Sequence, residues 1–158
     1  MMDAFELPGT LAQALAQRAA LTPDRQALRF LADDPAANQV LTYHDLDLRA
    51  RTIAAALQAH AAVGDRAVLL FPSGPDYVAA FFACLYAGII AVPAYPPESS
   101  KRHHQERLLS ILDDAEPRLL LTCSTLRQSL LQMSELCATD APHLLCVDEI
   151  EPDAVQAW

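Results

Sequence analysis

The chain has 158 residues, enough for one domain with its own core, and 53% of them are hydrophobic but only 6% aromatic. Its formal charge of −9, with 11 Lys and Arg spread along the chain, excludes a nucleic-acid surface, which needs clustered cations. The acidic opening MMDAFELPGT lacks the basic start and apolar centre of a signal peptide. Cys84, Cys123, Cys137 and Cys146 show no C-x-x-C spacing, so structural, reduced thiols and a cytoplasmic location are expected.

In chain order, a first helix is expected from Thr10, its cap, to about Leu21, with Leu11, Leu15 and Ala19 on one stripe and Pro23 ending it. QALRFL (Gln26–Leu31) and VLTY (Val40–Tyr43) flank the turn DDPAANQ and read as a β-hairpin. Thr42 and Asp45 have capping-box spacing, and Leu46, Arg49/Ala50, Ile53 and Leu57 predict an amphipathic helix to about Ala62. Gly64-Asp65 breaks it before RAVLLF (Arg66–Phe71), whose unbroken apolar run suits a parallel strand covered on both faces.

After Pro72-Ser73-Gly74, Pro75 sits at the first turn of a helix that is apolar nearly all round, so deep packing is expected, with Gly88 as its stop. IIAV (Ile89–Val92) reads as another buried strand. The sixteen-residue run YVAAFFACLYAGIIAV falls short of the ~20 a spanning helix needs. VPAYPPESS then leads to a helix capped by Ser99 or Ser100, running to about Ala115 and burying Leu108, Leu109, Ile111 and Leu112. Pro117 stops it before RLLLT, a helix Thr125–Leu136, a strand His143–Val147 and an acidic tail of undefined structure. This alternation predicts an α/β fold: a mainly parallel sheet with helices on both faces and a small N-terminal β-hairpin.

Open α/β sheets bind ligands beyond the carboxyl ends of their strands, so each strand-to-helix turn is a place to look for chemistry. The four glycines, Gly9, Gly64, Gly74 and Gly88, are too far apart for GxGxxG or a P-loop. At Ser73–Asp76, the aspartate would repel phosphate, and helix capping is the expected role. GxSxG and HExxH are absent, and adjacent His103 and His104 point about 100° apart on a helix. They read as a solvated face, as do Asp113 and Asp114. The residues alone therefore indicate an α/β unit without its own catalytic constellation.

Two stretches carry a resemblance. LTYHDLDLRARTIAAAL (Leu41–Leu57) resembles the first core motif of the adenylate-forming superfamily, and CLYAGIIAVPAYPP (Cys84–Pro97) resembles the second. The double proline, the arginine-containing helix after it and DDAEPRLLLT are more similar to fatty acyl-AMP ligases than to amino-acid adenylation domains. The opening MMDAFELP is similar to the initiating modules of pyoverdine peptide synthetases.

The resemblance implies that residues 1–158 are a partial N-terminal subdomain of an acyl-AMP ligase, the rest of the enzyme being absent from this chain. It implies a parent that uses ATP and Mg²⁺ to make a fatty acyl-adenylate. The parent then loads the acyl group on the phosphopantetheine of an acyl or peptidyl carrier domain in siderophore synthesis. The family's Ser/Thr/Gly-rich ATP loop, its adenine- and ribose-binding acids and its C-terminal lysine have no counterparts here. No catalytic residue and no metal ligand is therefore expected in this chain, which would be inactive alone. Tyr95, Pro96 and Pro97 are the candidate substrate-binding residues, lining an acyl or pantetheine path. The alternative is a free-standing nucleotide-binding or carrier-docking module without catalysis.

Overall fold

The computed structural model describes residues 8–96, 102–133, 136 and 141–151. Helix α1 (Leu11–Leu21) opens on Thr10, whose hydroxyl accepts from the Gln13 N–H, and buries only Leu15; Leu11 of the expected stripe is exposed. Strands β1 (Gln26–Phe30) and β2 (Gln39–Thr42) pair antiparallel as the expected hairpin, across a 3₁₀ turn at Pro35–Ala37. Helix α2 (Tyr43–Gln58) follows directly. Its capping box is complete: Thr42 Oγ1 accepts from the Asp45 N–H, and Asp45 accepts from the Thr42 N–H at 3.0 Å.

The remaining strands, β3 (Arg66–Leu70), β4 (Ile90–Ala94), β5 (Leu119–Thr122) and β6 (His143–Cys146), form one parallel sheet in the order β4-β3-β5-β6. Helices α3 (Pro75–Ala87), α4 (Arg102–Ala115) and α5 (Ser124–Leu131) make the crossovers. Period-two alternation splits the central strands between two cores. Ala67, Leu69, Leu119 and Leu121 pack against α1, α2 and α3, while Val68, Leu70 and Leu120 pack against Leu108 of α4 and Leu130 of α5. Every residue of β5 is buried, as an interior parallel strand requires.

Several expectations change. The expected buried strand at Ile89–Val92 is instead an edge strand, Ile90–Ala94, with Ile90 51% exposed and Pro93 inside it. A proline lacks the N–H that a ladder needs, and an edge tolerates that. Helix α3 is less deeply packed than its composition suggests: alanines and Cys84 face the core, while Tyr77, Phe81, Phe82 and Tyr86 are half-buried. Helix α2 stops at Gln58 rather than Ala62, and α5 at Leu131 rather than Leu136. Among the described side chains of α4 only Leu108 and Ala115 are buried, with Leu109, Ile111 and Leu112 half-buried. The capping serines Ser99 and Ser100, Cys137 and the tail beyond Glu151 lie outside the described residues.

Candidate functional site

The carboxyl ends of β3 and β4 open into a cleft of about 380 Å³. It is lined by Phe30, Phe71, Pro72, Ser73, Gly74, Tyr77, Val78, Pro93, Ala94 and Tyr95, none of them charged. The chain order explains this arrangement. Phe71 is the residue after β3, Ser73-Gly74 form the turn into α3, and Tyr95 is the residue after β4. Phe30, the last residue of β1, also lines the cleft. Phe71 is the innermost of these rings, nearly sequestered, and meets Tyr77 edge-on at 6.4 Å between centroids. Tyr95 stands at the mouth, 87% exposed.

Of the three residues singled out in the sequence, Tyr95 lines the cleft. Pro96 is half-buried beside it without forming its wall, and Pro97 lies outside the described residues. Pro93, one of the prolines of the same stretch, also lines the cleft, whereas Phe30, Phe71 and Tyr77 were not foreseen. Phe30 ends β1 and Phe71 follows β3, and an aromatic residue at the carboxyl end of a strand is the trace in the sequence that could have found them.

The α3 N-terminus also differs from expectation. Gly74 at the cap supplies no side-chain hydrogen bond, and Asp76 does not cap; its carboxylate pairs with Arg49 of α2. At the other end of α3, Tyr86 donates its O–H to Asp47 at 2.5 Å, and Arg51 binds the same carboxylate at 2.8 Å. Burial, then the hydrogen bond to Asp47, raises the Tyr86 phenol above its ordinary range. These contacts fix α3, and with it one wall of the cleft, against α2.

At β5 and β6 the sheet ends are bridged by side chains. The buried Thr122 hydroxyl donates to the Leu70 carbonyl at 2.8 Å. Asp148, in a 3₁₀ turn at Val147–Glu149, accepts from both the N–H and the hydroxyl of Ser124 at the start of α5. Burial opposes ionisation of Asp148, but the Ser124 hydrogen bonds outweigh it and hold the carboxyl below its usual range. Arg127 and Glu149 pair alongside. A second cavity of about 410 Å³ lies between α2 and this turn, and the guanidinium on its rim, Arg49, is already engaged by Asp76.

The thiols of Cys84, Cys123 and Cys146 are free and buried. Burial pushes Cys84 up to about 12, which leaves it almost wholly protonated at neutral pH and unsuited to nucleophilic work. Rings of His103 and His104 meet edge-on at 4.2 Å, and His60 stacks on His143 at the opposite, amino end of the sheet. Among the described residues, no group of three or more His, Cys, Asp or Glu is placed to hold a metal ion. None of the described helices is long and apolar enough to cross a membrane.

Residues 15–157 match the model of the AMP-binding enzyme family. The chain belongs to that family. It is 34% identical over 152 residues to a putative fatty-acid–CoA ligase of Mycobacterium tuberculosis, covering 94% of this chain and 25% of that protein. It is 40% identical over 114 residues to the medium-chain fatty acid–acyl-carrier-protein ligase JamA of Moorena producens, covering 72% of this chain and 19% of JamA. The crystal structure of a fatty acyl-adenylate ligase of Legionella pneumophila, in complex with acyl adenylate and pyrophosphate, superposes with a TM-score of 0.82. That match is at 30% identity and covers 94% of this chain and 25% of the other. The family member described here thus spans about a fifth to a quarter of the length of these AMP-binding relatives, and its sheet and hairpin are those of the adenylate-forming fold.

Proposed function

We propose that residues 1–158 form an N-terminal subdomain of a fatty acid-activating ligase. In the parent enzyme a carboxylate oxygen of the fatty acid attacks the α-phosphorus of ATP. The bond to the β-phosphate breaks, and pyrophosphate leaves as acyl-adenylate forms. A phosphopantetheine thiolate of a carrier domain then attacks the acyl carbon, releasing AMP. The opening MMDAFELP favours a nonribosomal siderophore assembly line of the pyoverdine type as the setting.

The observation that carries this reading is the charge-free aromatic cleft beyond β3 and β4, in a chain whose relatives are named as fatty-acid ligases. Such a cleft suits an apolar tail and not a triphosphate, which needs glycine-rich backbone or cations around it. ATP and Mg²⁺ are assigned to the portion of the parent outside this chain, because the sequence carries no glycine-rich phosphate loop. Tyr95 walls the path of the tail, and Pro96 and Pro97, next in the sequence, complete the candidate substrate-binding stretch.

The test is to incubate the full-length protein with ATP, Mg²⁺, a fatty acid and a phosphopantetheinylated carrier domain, and to weigh the carrier. A mass gain equal to the acyl group is expected. Acylation of free coenzyme A with none on the carrier would overturn the carrier assignment.

A further inference from the structure

Resting on the larger parent ligase proposed above, we infer that the groove between α2 and the Val147–Glu149 turn receives an apolar segment bearing a lysine or arginine, contributed by the parent outside residues 1–158. The floor of the groove is apolar: Leu41, Leu48, Ile53, Val147 and Ile150 line it, and Leu48 of α2 is 44% exposed. Its space of about 410 Å³, at roughly 30 Å³ for a water-sized group, holds on the order of a dozen groups. That is the size of a few side chains of a packed segment. The parent has chain to supply them, since the match covers only 25% of one curated ligase and 19% of another.

Charge selects the occupant. Asp45 and Asp148 stand on the rim, and Arg49, the cation among the lining residues, is engaged by Asp76. Hydrogen bonds with Thr42 hold the Asp45 carboxyl below its ordinary range. At Asp148 burial opposes ionisation, but the hydrogen bonds from Ser124 outweigh it. The rim is therefore anionic at neutral pH and repels a carboxylate, a phosphate or an acidic surface. A lysine or arginine meets it best, its stem on the apolar floor and its charge at the rim. The stretch after Glu151, PDAVQAW, carries Asp153 and no cation, so it does not complement the rim.

Arg49 connects this groove to the cleft. It lines the groove and pairs with Asp76 in the first turn of α3, next to Gly74 of the cleft wall. A segment seated in the groove therefore bears on the side chain that ties α3 to α2.

The experiment places a genetically encoded photo-cross-linking residue, benzoylphenylalanine, at position 48 of the full-length protein and maps the cross-linked peptide by mass spectrometry. Expected is a cross-link within one polypeptide, to an apolar segment that carries Lys or Arg and lies outside residues 1–158. As a second measurement, Leu48→Cys in the folded full-length protein should react with a maleimide roughly tenfold more slowly than after unfolding, because access then requires a local opening. Leu48 is not a core side chain, so neither variant empties the core. Absence of a cross-link, a cross-link to a second copy, to a separate protein or to residues 1–158, or labelling at the unfolded rate would overturn the inference. Fatty acid-dependent ATP–pyrophosphate exchange by the same protein is read separately. Its absence beside the expected cross-link would overturn fatty acid activation and leave the groove assignment standing.

Discussion

Thr42 and Asp45 show how much one pair of side chains decides in this chain. Their reciprocal hydrogen bonds satisfy two donors at the start of α2 and end β2 in the same residue. The Thr42 hydroxyl, as the largest influence, and its N–H hold the Asp45 carboxyl below its ordinary range. Thr42→Ala should lower stability by about 1 kcal/mol, read from the denaturant midpoint at unchanged slope. At His143, burial first, then the charges of His60 and Arg118, push the imidazole below its ordinary value of 6.5. The folded state therefore binds its proton less readily than the unfolded one. The contribution of His143 is whole above pH 6.5 and declines as the pH falls from there towards the depressed folded value. The ring is largely exposed, so the effect is small. Denaturation at pH 7.5 and 5.5 should show a loss on acidification that His143→Gln reduces, and an identical loss in both proteins would contradict this origin.

At the scale of elements, the turn from α3 into β4 depends on Gly88. It adopts φ +71°, and a Cβ there would lie 3.1 Å from Val63 Cγ1. Gly88→Ala should cost about 1–3 kcal/mol by backbone strain alone, visible as a lowered unfolding temperature. In the sheet, Leu121 of β5 is wholly buried beneath α2 and α3, and Leu121→Ala should cost about 2–5 kcal/mol. These elements were legible because their signals are local: the Thr42 cap, Pro75 at a first turn, Gly88 at a stop and the unbroken apolar runs of β3 and β5. Signals that depend on partners far away in the chain were not. Pro93 marks β4 as an edge only once the strand is seen to run to Ala94, and that extent follows from its long-range pairing with β3. The residues after Gln58 have a helix-like composition, but Asp65 accepts the Ala62 N–H and Arg118 donates to the His60 carbonyl, drawing that segment out of the helix. The cleft was half legible for the same reason. Tyr95 follows its strand directly, whereas Phe30 reaches the cleft only because the hairpin docks there.

As a whole molecule, the chain is an open parallel sheet covered by α1, α2 and α3 on one face and by α4 and α5 on the other. Its aromatic, uncharged cleft lies where such sheets present ligands. The polar contacts Asp76 with Arg49, Tyr86 with Asp47 and Asp148 with Ser124 hold elements together. That division matches a subdomain that shapes a binding surface while the reacting groups come from elsewhere in the parent. The isolated 158-residue chain should accordingly give no ATP–pyrophosphate exchange. The most direct test of fatty acid activation is ATP–pyrophosphate exchange by the full-length protein, with fatty acids and proteinogenic amino acids assayed side by side. Exchange that depends on fatty acids and is absent with amino acids is the predicted result; exchange driven by an amino acid and by no fatty acid would contradict it.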